Sequence, residues 1–214
     1  MSVLIADKSL PFAVSLAAAL HGKNISAALV SGDPSDTEAV REIRWNRSSS
    51  LSAKTVLIEA KSAFASLDQA VLLFDTPFLL ATVPAGNSFA NIVDEHIKGY
   101  LLLVREINAF FAQQKKGRLV FVVRGRDALQ SPAAVPSNIP VAVCEAAFTA
   151  LAAETASACS LQPNPALQTL LVTLESGEEA ENLAWLVEQL EQTTPSRNQT
   201  RWIKAGQRGL FGKL

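Results

Sequence analysis

Short, wholly apolar runs alternate along this chain with longer stretches in which apolar residues return every three or four positions. Val3-Leu4-Ile5-Ala6, Ser26 to Val30, Ala70 to Phe74, Leu119 to Val123 and Leu170 to Leu174 are runs of the first kind. They predict strands buried on both faces. Ile43-Arg44-Trp45 and Trp202-Ile203-Lys204 predict two shorter strands. Helical spacing predicts helices over Pro11–Leu20, Leu51–Ala65, Phe89–Gln114, Val141–Ala156 and Glu178–Gln192. Ser9 is the expected N-cap of the first helix, with Pro11 in its opening turn and Gly22 at its end. Ser35 is expected to cap a short helix reaching Arg41. Asp75–Ser88, with Pro77, Pro84 and Gly86, reads as loop, and so does Gly125–Pro140. Strand–helix alternation of this kind predicts a doubly wound parallel sheet with helices on both faces, an α/β Rossmann-like three-layer fold in a single domain over 1–214.

Composition narrows the function. The 214 residues carry 19 Lys and Arg against 20 Asp and Glu, with no dense basic stripe. That speaks against nucleic acid or an anionic membrane as the main partner. The apolar runs fall short of the roughly 18 residues that span a bilayer. The opening residues lack the basic and apolar segments of a signal peptide. Cys144 and Cys159 have no metal-ligand spacing and are expected to be buried free thiols, which places the chain in the cytoplasm.

Four stretches carry a family resemblance: VLIADKSLPFAVSLAAAL, LDQAVLLFDTP, FANIVDEHIKGYLLLVREINAFFAQQKKGRLVFVVRG, and ENLAWLVEQLEQ followed by TRWIKAG. In order and spacing they resemble the opening turn, fourth strand, long fifth helix with its following strand, and last helix and strand of the short-chain dehydrogenase/reductase family. The resemblance implies an NAD(P)-binding Rossmann domain. It also implies where that family's working residues should lie, and there this chain departs from it.

The family's first turn carries three glycines, which let the backbone approach a pyrophosphate. Here Asp7, Pro11 and Ala13 stand at those places. Asp7 adds a negative charge and Pro11 removes an amide donor. The turn is either a new ligand turn or a packed turn that binds nothing, and the second is preferred. By the resemblance, the catalytic Asn position is His96, the Ser position falls near Arg124, the Tyr position is Val141 and the Lys position is Glu145. Tyr100 is the one tyrosine and lies inside the long helix. A proton donor and a lysine to lower its pKa are what the reaction needs, so the expectation is a pseudoenzyme with no catalytic residues, no metal and no cofactor. The alternative is an atypical NAD or NADP oxidoreductase or a small-ligand sensor, with Ser9, Asp33 and Asp75 as weak binding candidates. Asp33 lies near where an acid would meet a ribose, but Asp-Pro also makes a turn for local reasons.

Asp75, His96, Arg124 and Glu145 are expected near the C-terminal strand ends, as a rebuilt acid–base site or as an ion-paired plug. The chain also passes from Leu174 almost directly into the Glu178 helix, so the family's substrate-binding region is shortened. The long helix and the Ala-rich helix, with Ala142, Ala146, Ala150 and Ala153, are more apolar than one sheet face requires. In the family they build a dimer interface. The expected partner is a second copy, or an active relative in a hetero-oligomer.

Overall fold

The computed structural model describes residues 1–7, 9–34, 40–83, 89–125, 138–161, 167–175, 177–192 and 200–206. Seven parallel strands form one sheet in the order β3-β2-β1-β4-β5-β6-β7. They are β1 (Ser2–Ala6), β2 (Ser26–Ser31), β3 (Arg41–Arg44), β4 (Gln69–Asp75), β5 (Gly117–Arg124), β6 (Leu167–Leu174) and β7 (Ile203–Lys204). The helices are α1 (Pro11–Gly22), α2 (Ser50–Ala63), α3 (Thr76–Thr82), α4 (Phe89–Val93), α5 (Gly99–Gln114), α6 (Ile139–Ser160) and α7 (Glu179–Glu191). Between α4 and α5 the chain makes a wide π-helical turn, Asp94–Lys98.

The period-two geometry of a strand sends alternate residues to opposite faces. Val71, Leu73, Val120, Val122, Leu170 and Val172 pack against Phe12, Leu16 and Leu20 of α1 and Leu186 and Leu190 of α7. Their neighbours Leu72, Phe74, Leu119 and Phe121 pack against α2, α5 and α6 on the other face. Phe148 of α6 anchors that second layer, with ring contacts to Phe74, Tyr100 and Phe121. Burial on both faces is why the strands read as continuous apolar runs. Cys144 and Cys159 are both buried and form no disulfide.

Several local expectations are corrected. Leu10, not Ser9, stands at the N-cap of α1, and it makes no side-chain cap. The Ser9 hydroxyl is bonded to Asp7 instead. Arg41 opens β3 rather than closing a helix, and residues 35–39 of that expected helix lie outside the described residues. The stretch after β4 is helical through Thr82: Asp75 accepts from the Phe78 N–H at 3.1 Å and Pro77 sits in the first turn. The polar loop ends by Asn138, which caps α6. Residues 84–88 and 126–137 of the two expected loops lie outside the described residues.

By length and composition alone, α6 is apolar enough to cross a membrane, although its unbroken apolar runs are short. Glu145 and Glu154 interrupt the apolar sequence of this helix. In the fold, Val141, Cys144, Phe148, Ala152 and Ala156 of this helix belong to the core.

Candidate functional site

β1 pairs with β2 on one side and β4 on the other, so the sheet's winding reverses between β1 and β4. Such a reversal leaves a crevice beyond the C-terminal strand ends. Here it measures about 1080 Å³. Asp7 and Ser9 line it from the turn after β1, Ser31 to Asp33 from the end of β2, and Arg44 to Ser48 from the end of β3. Glu95 and His96 close it from the wide turn.

The centre of the crevice is an ion pair that sequence reasoning missed. Arg47 pairs with Asp7, whose side chain is 3% exposed. The Asp7 carboxylate also accepts from the Ser9 N–H at 2.7 Å and the Ser9 hydroxyl at 2.8 Å. Arg47 is held independently. It donates to the Glu95 carbonyl at 2.7 Å, reaches the Ser9 hydroxyl oxygen at 3.3 Å, and lies 5.1 Å from the centre of the Trp45 ring. A guanidinium over an indole face is attracted by the ring quadrupole. A buried acid at the end of an apolar strand requires a partner, so Asp7 after the Val3–Ala6 run is itself a signal of a nearby cation.

Arg47 also reaches His96 Nδ1 at 3.3 Å. A guanidinium only donates, so Nδ1 is the acceptor and the ring proton belongs on Nε2. Burial, and then the Arg47 charge, push the His96 pKa down to about 4. His96 is therefore a neutral acceptor that positions Arg47.

A second cluster lies at the ends of β4 and β5. Asp75 and Arg124 are cross-strand register partners and form an ion pair at 3.0 Å. Arg124 also approaches Glu179 at 3.6 Å and lies over the Phe12 ring. Glu145 accepts from the Thr76 hydroxyl at 2.8 Å. Val141 is fully buried. Of the four polar residues expected together, Asp75 and Arg124 meet directly, Glu145 joins through the residue after Asp75, and His96 belongs to the Arg47 cluster. Asp33 is exposed at the crevice rim and donates its N–H to the Ser31 hydroxyl at 3.1 Å.

Tyr100 is buried in α5 and donates its hydroxyl to the Leu73 carbonyl at 2.5 Å. Burial pushes its pKa up to about 12. It is a structural phenol, remote in role from an exchangeable proton donor. Among the described residues, no group of three His, Cys, Asp or Glu side chains is placed to hold a metal.

No family model matches the chain. A Treponema pallidum (strain Nichols) protein, described only as uncharacterized, is 31% identical over 218 residues, covering 99% of this chain and 95% of its own length. Among solved structures, a short chain dehydrogenase from Mycobacterium avium superposes with a TM-score of 0.67 at 12% identity, over 95% of this chain and 82% of that one. The 3-ketoacyl-(acyl-carrier-protein) reductase of Brucella melitensis, solved with NADH, superposes with a TM-score of 0.60 at 14% identity, over 81% of this chain and 73% of that one. The likeness to solved structures establishes a short-chain-dehydrogenase-like fold.

Proposed function

Since the chain belongs to one family with the Treponema pallidum protein, we propose that it is a catalytically inactive protein of the short-chain dehydrogenase type, working in the cytoplasm as an assembly subunit. It pairs with a second copy of itself or with an active relative. The observation that carries this reading is the division of α6 into two faces. The inner face holds buried Val141 where the resemblance puts a proton donor, and Glu145 tied to Thr76 where it puts a lysine. The outer face leaves Ala142, Ala146 and Ala150 exposed, with Val143 44% and Ile139 70% exposed. Small residues let helix backbones approach closely, and a contiguous apolar face marks an interaction surface.

Two further features support the absence of hydride chemistry. Asp7 and Arg47 fill the turn in which a pyrophosphate would need backbone donors. Only residues 175–178 join β6 to α7, so the domain has a shortened substrate-binding region with little to exclude water. A second reading, a small-ligand sensor or atypical NAD(P) enzyme, draws support from the crevice, which is retained at the sheet's point of reversal.

Light scattering on the purified chain tests the assembly reading. A dimer or larger species is expected, and Ala146→Arg should shift it to monomer. A wild-type monomer at tens of micromolar (about ten times the Kd of a micromolar dimer) that also fails to co-purify with a co-expressed active relative would reject it. Thermal melts with NAD(H) and NADP(H) separate the two readings: no shift is expected, and a saturable one favours the second.

A further inference from the structure

We propose that Asp7 is the tethered occupant of an oxyanion site, so that the chain's own carboxylate fills a receptor able to take a carboxylate or phosphate group from outside. The receptor consists of the Arg47 guanidinium, the Ser9 N–H and the Ser9 hydroxyl, all of which meet Asp7.

Three observations carry this. First, the guanidinium is preorganised without Asp7. The Glu95 carbonyl, His96 Nδ1 and the Trp45 ring hold it from other directions. Removing the carboxylate therefore leaves a fixed cation rather than a side chain free to swing into solvent, and a fixed donor set costs an incoming anion little ordering. Second, the site has access, because Asp7, Ser9 and Arg47 all line the crevice. Third, the local charge disfavours a second anion while Asp7 is present. The crevice is lined by three acids, Asp7, Asp33 and Glu95, against two arginines, Arg44 and Arg47. Without Asp7 the two sides balance, and a single added anion restores the native count. The wild-type chain thus refuses oxyanions because it carries one already. This is independent of whether α6 mediates assembly.

The test uses the full chain with Asp7→Ala and the probes sodium acetate and sodium phosphate, each against sodium chloride at matched ionic strength. Asp7→Ala should melt below the wild type in chloride and recover saturably, by about 5 °C, with acetate or phosphate. Acetate and phosphate arms separate a carboxylate-sized site from one that accepts a tetrahedral ion. The wild type should not respond to either. Adding Arg47→Met to Asp7→Ala should abolish the response. A saturable wild-type response, or no response in Asp7→Ala, overturns the proposal. Should Asp7→Ala be insoluble in chloride, refolding from denaturant decides: recovery in acetate or phosphate but not chloride supports the site, and failure in all three overturns it. Light scattering on the wild type reads assembly separately, so failure of one idea leaves the other standing.

Discussion

Replacing His96 with Asn should remove an acid sensitivity that the wild-type fold carries in one side chain. The imidazole takes its proton near pH 6.5 in an unfolded chain but near 4 in the folded one, because burial and Arg47 disfavour the cation. Between those values the native state binds fewer protons than the unfolded state. Stability is therefore complete above about pH 6.5, falls as the pH drops toward 4, and loses nothing more from this group below that. At about 1.4 kcal/mol per pH unit, the loss across the window is about 3 kcal/mol. The side chain is 15% exposed, so solvent screening removes only part of this. Asn offers Oδ1 as an acceptor to Arg47 and does not titrate. Urea unfolding midpoints at pH 7 and pH 4 for both proteins isolate the effect, since every carboxylate and exposed His21 are common to both. The stability difference between them should move by about 3 kcal/mol in favour of Asn as the pH falls. Parallel losses in the two proteins would refute the assignment of His96 as a buried neutral acceptor.

Asp75→Asn leaves Arg124 without its closest carboxylate and should cost about 3 kcal/mol in chemical denaturation, with Glu179 too distant and exposed to compensate. Gly117→Ala places a methyl 2.0 Å from the Phe111 ring and should cost about 2 kcal/mol or more through forced repacking, read from the melting temperature. The double change Val141→Tyr with Glu145→Lys should yield no NAD(P)H-dependent ketone reduction, since it forces a phenol into a fully buried site and leaves the Asp7–Arg47 turn untouched. Measurable turnover would overturn the inactive reading. Ala150→Arg, on the exposed face of α6, should leave the monomer's own unfolding free energy within about half a kcal/mol of wild type while reducing the assembled fraction.

The sheet was legible because parallel strands covered on both sides leave unbroken apolar runs. Ala70 to Phe74 and Leu119 to Val123 are five residues long, a length that suits a buried strand better than a helix. Local signals misled where they had two meanings. Pro77 carries a breaker's signal, yet a proline in a first turn behind an Asp cap starts a helix as well as it ends one. Ser9 looked like a cap because its chemistry fits one, but a buried carboxylate two residues earlier competed for its hydroxyl. Arg47 is not legible because its hydrogen-bond and ion-pair partners Asp7, Ser9, Glu95 and His96 lie 40 and 38 residues before it and 48 and 49 residues after it. Nothing in the neighbourhood of Arg47 distinguishes it from Arg44. The stripe through Phe89–Gln114 predicts one helix, and the wide turn Asp94–Lys98 within it lies against Arg47 and Trp45. A Cβ on Gly99 would stand 2.8 Å from Arg47 Cβ, so the following turn must approach closely.

That wide turn makes chain length a variable in its own right. A regular α-helix advances about 100° per residue, and a π turn takes up one residue more than an α turn would. Deleting one residue from Asp94–Lys98 would let the helix run through without interruption. Because the deleted residue is the one the wide turn absorbs, Tyr100, Leu103 and Ile107 would keep their places against the sheet, the helix before the turn would keep its face, and the displacement would fall on the turn itself. His96 and the Glu95 carbonyl would swing away from Arg47 together. A single-codon deletion would thus redesign the wall of the crevice while sparing the core, a change that no substitution at either residue can imitate.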